Sequence, residues 1–196
     1  MPNSSTSLRL EIAAAAARLI ADSGLDYASA KRKGAQEVCG TRPPRGALPD
    51  NDQIDEALRE HLDLFDEHHA ERVRALRETA LELMDELAAF SPLVTGAAWK
   101  GIAAEHAPLH LQLFPDNAKE VEYWLLNRRI EFDVDTIGHF RGRDEVPVLA
   151  LVWKDTGVLL SLYDADDQRG ALHEGSGRGS LRGTRDALAA RMKEES

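Results

Sequence analysis

The feature that most limits what this chain can fold into is a change of hydrophobic period at Phe90. Up to that point apolar residues recur every three or four positions, as on a helix that hides one face. Beyond it they come in short runs or alternate with polar residues, as in strands. A sequence that completes its helical pattern before its strands begin reads as an α+β protein, a small mixed sheet preceded by a helical segment. The strongest helical stripe is Ile54, Leu58, Leu62, Phe65, His69, Val73, Leu76, Ala80, Leu83 and Leu87, with Glu56, Glu60, Asp63, Glu67, Glu71, Arg74, Glu78 and Asp85 on the opposite face. The phase holds across His68-His69, so the spacing predicts one long amphipathic helix over 52–89, kinked at most at the histidines. Such a helix packs on the rest of the chain and also offers a surface for a homodimer.

Ahead of that stripe, Leu8 to Asp22 is an alanine-rich helix stopped by Ser23-Gly24, and Tyr27 to Cys39 is a second helix, capped by Asp26 and ended by Gly40. Pro43, Pro44, Gly46 and Pro49 make 41–49 a loop. Asp50 followed by Gln53 is a capping-box start for the next helix. After Phe90 the pattern predicts strands at Leu93–Gly96 and Leu109–Phe114, a helix at Ala118–Asn127, and an alternating strand at Ile130–Val134. Two apolar strands follow, Val146–Trp153 and Gly157–Tyr163, joined by a Lys154-Asp155-Thr156-Gly157 hairpin turn. From Asp164 the chain is polar and glycine-rich until a short helix at Arg185–Met192. The expected organisation is a helical segment at 1–91, the mixed-sheet core at 92–165 and a tail at 166–196.

Composition removes several classes. With 24 Lys and Arg against 34 Asp and Glu the net charge of this 196-residue chain is −10, which argues against a whole-surface nucleic-acid binder. The one cysteine, Cys39, forms no internal disulfide and anchors no zinc pattern, and reads as a packed small residue. The apolar stretch Ile12–Ile20 is interrupted by Arg18 and is too short to span a bilayer, and no signal-peptide pattern surrounds it. The expectation is a cytoplasmic, bacterial-style protein without a membrane partner.

The segment Gly96-Ala97-Ala98-Trp99-Lys100-Gly101-Ile102-Ala103, followed by Leu109-His110-Leu111-Gln112-Leu113-Phe114, resembles the nucleotidyltransferase fold of the DNA polymerase beta superfamily. Ala118-Lys119-Glu120-Val121-Glu122, Leu125-Leu126-Asn127-Arg128 and, more loosely, Ala28-Ser29-Ala30-Lys31-Arg32-Lys33 resemble a poorly characterised bacterial branch of it. In that family a Gly-Ser turn opens a short helix and leads to a strand beginning Asp-x-Asp, with a third carboxylate on a later strand. The resemblance implies a magnesium-nucleotide site in which three carboxylates hold two divalent cations against a nucleoside triphosphate. It also implies phosphate contacts from Gly96, Ala97, Lys100 and Gly101. This sequence departs from the pattern at each acid. The Asp-x-Asp positions fall on Pro108 and His110, or on Leu109 and Leu111 one register away. Ser161 stands where the third acid is expected, and Ala97 replaces the turn serine. Hard divalent cations need several oxygen ligands, and an imidazole with a serine does not supply them. The expectation is a non-catalytic or repurposed relative that binds a nucleotide or another phosphorylated small molecule.

Other chemistry is readable beside this. Glu105, His106 and His110 are a candidate set for a softer metal such as zinc. His61, His68 and His69 are a candidate surface metal patch, with a solvated helix face as the simpler reading. The run Gly175-Ser176-Gly177-Arg178-Gly179-Ser180, with Arg182 and Arg185 nearby, could wrap an anion, Arg178 being its central cation. Glu131, Asp133 and Asp135 form a row on one strand face that reads either as ligands or as the wet side of an exposed strand. The first two helices, with Lys31-Arg32-Lys33, resemble the opening of a helix-turn-helix regulator, but prolines occupy the place of a recognition helix. The alternatives to a ligand-binding protein are therefore a self-associating structural protein using helix 52–89 and, further off, a DNA-binding regulator.

Overall fold

The computed structural model describes residues 4–40, 43–173 and 180–195. The chain divides into two compact units, one comprising 1–72 with 104–106 and the other 73–103 with 107–196. Among the described residues no helix is long and apolar enough to cross a membrane.

The first unit is helical: α1 (Ser4–Ser23), α2 (Tyr27–Cys39) and α3 (Asn51–Phe65). Its local signals are those of the sequence. Asp26 caps α2 through Ser29 N–H, Gly40 ends it in the left-handed conformation, and Asp50 and Gln53 form a complete capping box on α3. The small residues of α1 let α2 approach closely, so that a methyl group on Gly34 would sit 2.9 Å from the backbone nitrogen of Ala16. The Tyr27 hydroxyl donates to the buried Asp55 carboxylate. Burial first, and that neighbouring carboxylate second, push the phenol well above its ordinary range.

The long helix expected over 52–89 is two helices. α3 stops at Phe65 and α4 (His69–Glu86) begins after Asp66-Glu67-His68. Asp66 is extended, with φ −124° and ψ 95°. Its carboxylate accepts from His68 N–H at 3.1 Å and pairs with Arg72, whose guanidinium holds it below the usual carboxylate range. An aspartate that can satisfy the amide of a new first turn competes with continuation of the old helix. A stripe that stays in phase does not reveal that competition.

The second unit contains residues of α4 from Val73 onward, a 3₁₀ turn at Ala88–Phe90, and then β1 (Leu93–Thr95), α5 (Gly96–Lys100), β2 (Leu109–Leu113), α6 (Ala118–Asn127), β3 (Phe132–Ile137), β4 (Val146–Trp153), β5 (Thr156–Leu162), α7 (Asp167–His173), β6 (Arg182–Gly183) and α8 (Arg185–Glu194). The six strands lie in the order β3-β4-β5-β2-β1-β6, and β2 and β5 run parallel in an otherwise antiparallel sheet. This is the α+β architecture with a small mixed sheet. Leu109, Leu111 and Leu113 of β2 and Val158, Leu160 and Leu162 of β5 point to one side. There they form a core with Leu83 and Met84 of α4, Leu87 just after it, Val121 and Leu125 of α6, and Leu188 of α8. The β4–β5 turn reverses through Lys154 and Asp155, both at positive φ, as the hairpin reading requires.

Two readings need correction here. The alternating strand is shifted to 132–137, where Asp133 and Asp135 line an exposed edge of the sheet beside Val134 and Ile137. The polar tail contributes more than a terminal helix. It supplies α7 and the edge strand β6, which pairs with β1. The tail carries no strand-like alternation because its inward groups are polar: Arg182, 6% exposed, gives an N–H to the Ala171 carbonyl at 3.2 Å and lies 4.5 Å over the Phe140 ring.

Gly34→Ala should lower the stability of the helical unit by about 1–3 kcal/mol, because the methyl meets backbone rather than a movable side chain. Chemical denaturation followed by circular dichroism reads this. A variant as stable as the parent would show that α1 and α2 have room to spare.

Candidate functional site

The turn after β1 is built by Gly96 and Gly101, both at positive φ (64° and 69°), which frame the single helical turn α5. Three of its carbonyls are taken. Ala97 O accepts from Gly101 N–H and Ile102 N–H, Ala98 O from buried Arg77 Nε at 2.9 Å, and Trp99 O from Arg191 at 2.6 Å. Arg77 also pairs with Glu195, and its guanidinium lies 2.8 Å from where a Gly101 Cβ would be. The Trp99 indole N–H donates to Ser180 O at 2.6 Å, and its ring covers Gly183 so closely that a Cβ there would sit 2.1 Å from it. The tail and α4 thus fix α5 from below.

Across from this turn, β1 and β2 pair Thr95 with His110, and a Cβ built on Gly96 would lie 3.5 Å from the His110 side chain. The strand register carries the row across the whole sheet: Arg182, Thr95, His110, Leu159, Ala150 and Asp133 stand side by side. A second row on the same face is Leu93, Gln112, Ser161, Val148 and Asp135. The pair within β2 on the face away from the leucine core is therefore His110 and Gln112, with Ser161 directly beside Gln112. Pro108 lies one residue before the strand, with its ring 4.0 Å from a Cβ built on Gly157, and Leu109 and Leu111 face the core. Asp133 is separated from His110 by β4 and β5, three strand spacings or about 14 Å.

Burial lowers the His110 pKa, so the imidazole beside Gly96 is neutral near pH 7. Gln112 and Ser161 are buried, and burial raises the pKa of the nearby Tyr163 hydroxyl. The Gln112 amide oxygen is buried without a hydrogen-bond partner. The face holds an imidazole, an amide, two hydroxyls and a buried acceptor in want of a donor.

A polar cluster that the sequence did not single out adjoins this face. The His139 ring stands edge-on to Tyr163 at 5.2 Å and stacks on Phe140 at 4.6 Å. Its Nδ1 accepts from Arg141 N–H at 3.0 Å, which places the proton on Nε2, and Asp167 accepts that proton at 3.0 Å. The other Asp167 oxygen receives Arg141 at 3.4 Å and Arg143 at 3.1 Å. Both nitrogens of His139 are engaged in hydrogen bonds. The available signal was Arg141-Gly142-Arg143 in a turn, but its partner Asp167 is too far along the chain for any local pattern to link them.

The remaining candidates are placed as follows. Glu105 and His106 are exposed in a turn assigned to the first unit, whereas His110 belongs to the second. His61, His68 and His69 turn to three different carboxylates, Asp22, Glu71 and Asp63. Among the described residues no group of three or more His, Cys, Asp or Glu is arranged to hold a metal ion. Glu131 is exposed just before β3, and Lys100 is half-buried at the end of α5. Arg178, with the rest of 174–179, lies outside the described residues.

No protein-family model matches the chain, and no curated protein matches it. Solved structures that are similar to it include an RNA terminal uridylyl transferase, Cid1, at 15% identity and a TM-score of 0.35 over 73% of this chain and 41% of that one. A cytoplasmic RNA terminal U-transferase is similar at 15% identity and 0.34 over 73% and 40%. The Cid1 poly(U) polymerase with MgGTP bound is similar at 14% and 0.35 over 74% and 44%. The chain spans about two fifths of the length of these proteins.

Two outcomes follow from the geometry. Gly183→Ala should cost about 3 kcal/mol, since a buried indole has nowhere to move; thermal melting tests it, and an unchanged melting temperature would show that the tail does not seat on Trp99. His110, held below its ordinary value of 6.5, contributes stability that is complete above that value and is lost as pH falls toward its lowered one. His110→Gln should therefore flatten the fall in melting temperature between about pH 7 and pH 5, and parallel curves for the two proteins would contradict the assignment.

Proposed function

We propose that the second unit is a nucleotidyltransferase-like module that binds a phosphorylated small molecule, a nucleotide above all, without two-metal nucleotidyl transfer. The observation that carries this reading is the make-up of the sheet face beside the Gly96 turn. His110 and Ser161, two positions where the family resemblance calls for carboxylates, lie on one sheet face with Gln112, which pairs with Ser161. A neutral imidazole, an amide and a hydroxyl are poor ligands for magnesium, so the magnesium-nucleotide centre does not fit these residues. They suit hydrogen bonding to a ligand instead. The orphaned Gln112 oxygen gives a specific acceptor for a ligand O–H or N–H, and leaving such an atom unpaired costs about 1–3 kcal/mol. Gly96 borders the same place, and the resemblance adds Ala97, Lys100 and Gly101 as phosphate contacts.

The alternative of self-association through 52–89 would have to use two helices, α3 and α4, not one. The test is calorimetric titration of the metal-stripped protein with ATP and with GTP, each with and without magnesium. The expected result is saturable binding that magnesium leaves unchanged and that Gln112→Leu weakens about tenfold, the value of one good hydrogen bond to a buried group. Binding that strengthens with magnesium would overturn the metal-free reading. Absence of binding to either nucleotide would overturn the nucleotide reading.

A further inference from the structure

We infer that Arg141 and Arg143 form an anion-binding fork that takes the phosphoryl end of the ligand; this rests on the ligand-binding reading of the adjoining sheet face. Both guanidiniums converge on one oxygen of Asp167, at 3.4 and 3.1 Å, while the other oxygen is spent on His139. One carboxylate serves two guanidiniums, in a segment that also carries Asp144, Asp164 and Asp166. A structural ion pair for buried Asp167 needs one arginine, not two.

The arrangement has an inside and an outside. The side chains of Asp167 and His139 are 4% and 5% exposed, whereas those of Arg141 and Arg143 are 32% and 60% exposed. The buried acid and imidazole act as a bracket, and the guanidiniums project from it toward solvent. The backbone is shaped for this: Gly142, at φ 67°, folds back so that its N–H donates to His139 O, which brings the residues on either side of it to the same carboxylate. Gly170 leaves open the place that the Arg141 guanidinium occupies, since a Cβ there would lie 1.0 Å from it. The bracket adjoins the proposed ligand face through the His139–Tyr163 ring contact, Tyr163 lying two residues beyond Ser161, the partner of Gln112, on the same strand. Of the acids that follow in the loop, Glu145 accepts from the Thr136 hydroxyl at 3.1 Å. Planar guanidiniums side by side match the oxygens of a phosphoryl group, and a metal-free nucleotide site needs such a partner for its phosphates.

The probes are sodium pyrophosphate, which has the phosphoryl chemistry without base or sugar, and ATP without magnesium, each titrated at low salt. Wild type should bind both, and ATP more tightly. Arg143→Gln should weaken both by about tenfold with an unchanged melting temperature, because that side chain is exposed. Gly170→Ala should weaken both comparably by unseating Arg141 without altering it. Pyrophosphate that fails to bind, or that binds wild type and Arg143→Gln alike, overturns the fork. If ATP still binds Arg143→Gln as it binds wild type, the fork falls while the face reading stands. If pyrophosphate depends on Arg143 but ATP binds no more tightly than pyrophosphate, the fork stands and the face reading falls.

Discussion

The second unit depends on one pairing, the parallel contact of β2 with β5. Antiparallel neighbours can be joined by a tight turn, but parallel ones require the chain to travel away and return. Here the return path is α6 and the β3–β4 hairpin, so more than a third of the unit exists to bring Leu109–Leu113 beside Val158–Leu162. The pairing fills the core with leucines on one face. On the other it sets Gln112 against Ser161 and His110 against Leu159, which is the whole basis for treating that face as a site.

The same logic explains why the tail matters. A two-residue strand such as β6 has little stability of its own. It holds because Trp99 lies on Gly183, the indole N–H reaches Ser180, and Arg191 and Arg77 close the carbonyls of α5. The turn that faces His110 is thus built by residues far along the chain. Its glycines have structural work, Gly101 by admitting the Arg77 guanidinium and Gly96 by turning the chain over the His110 ring.

Much of this was legible in the residues. The run Val146–Trp153, the hairpin at Lys154–Gly157 and the helix Ala118–Asn127 follow from local pattern, because each is set by alternation, turn chemistry or an Asn cap within a few residues. Spacing singles out His110 and Ser161 but not Gln112, because only the strand register shows that Gln112 lies beside Ser161 on the same face as His110. The break at Asp66 escaped because periodicity reports which face is apolar, not whether the backbone continues. The His139–Asp167–Arg141–Arg143 cluster escaped because its members meet only through tertiary structure.

The edge strand β3 has a consequence of another kind. It presents unpaired backbone groups along one margin of the sheet, with Val134 and Ile137 exposed among them. A margin of that sort is a template for another strand, and what discourages annealing is charge. Asp133 and Asp135 supply it, each opposite an uncharged partner on β4. The acidic row that invites a reading as metal ligands thus has a colloidal role. It keeps neighbouring molecules from zipping together edge to edge, and neutral residues in its place would trade solubility for polymerisation without disturbing the fold.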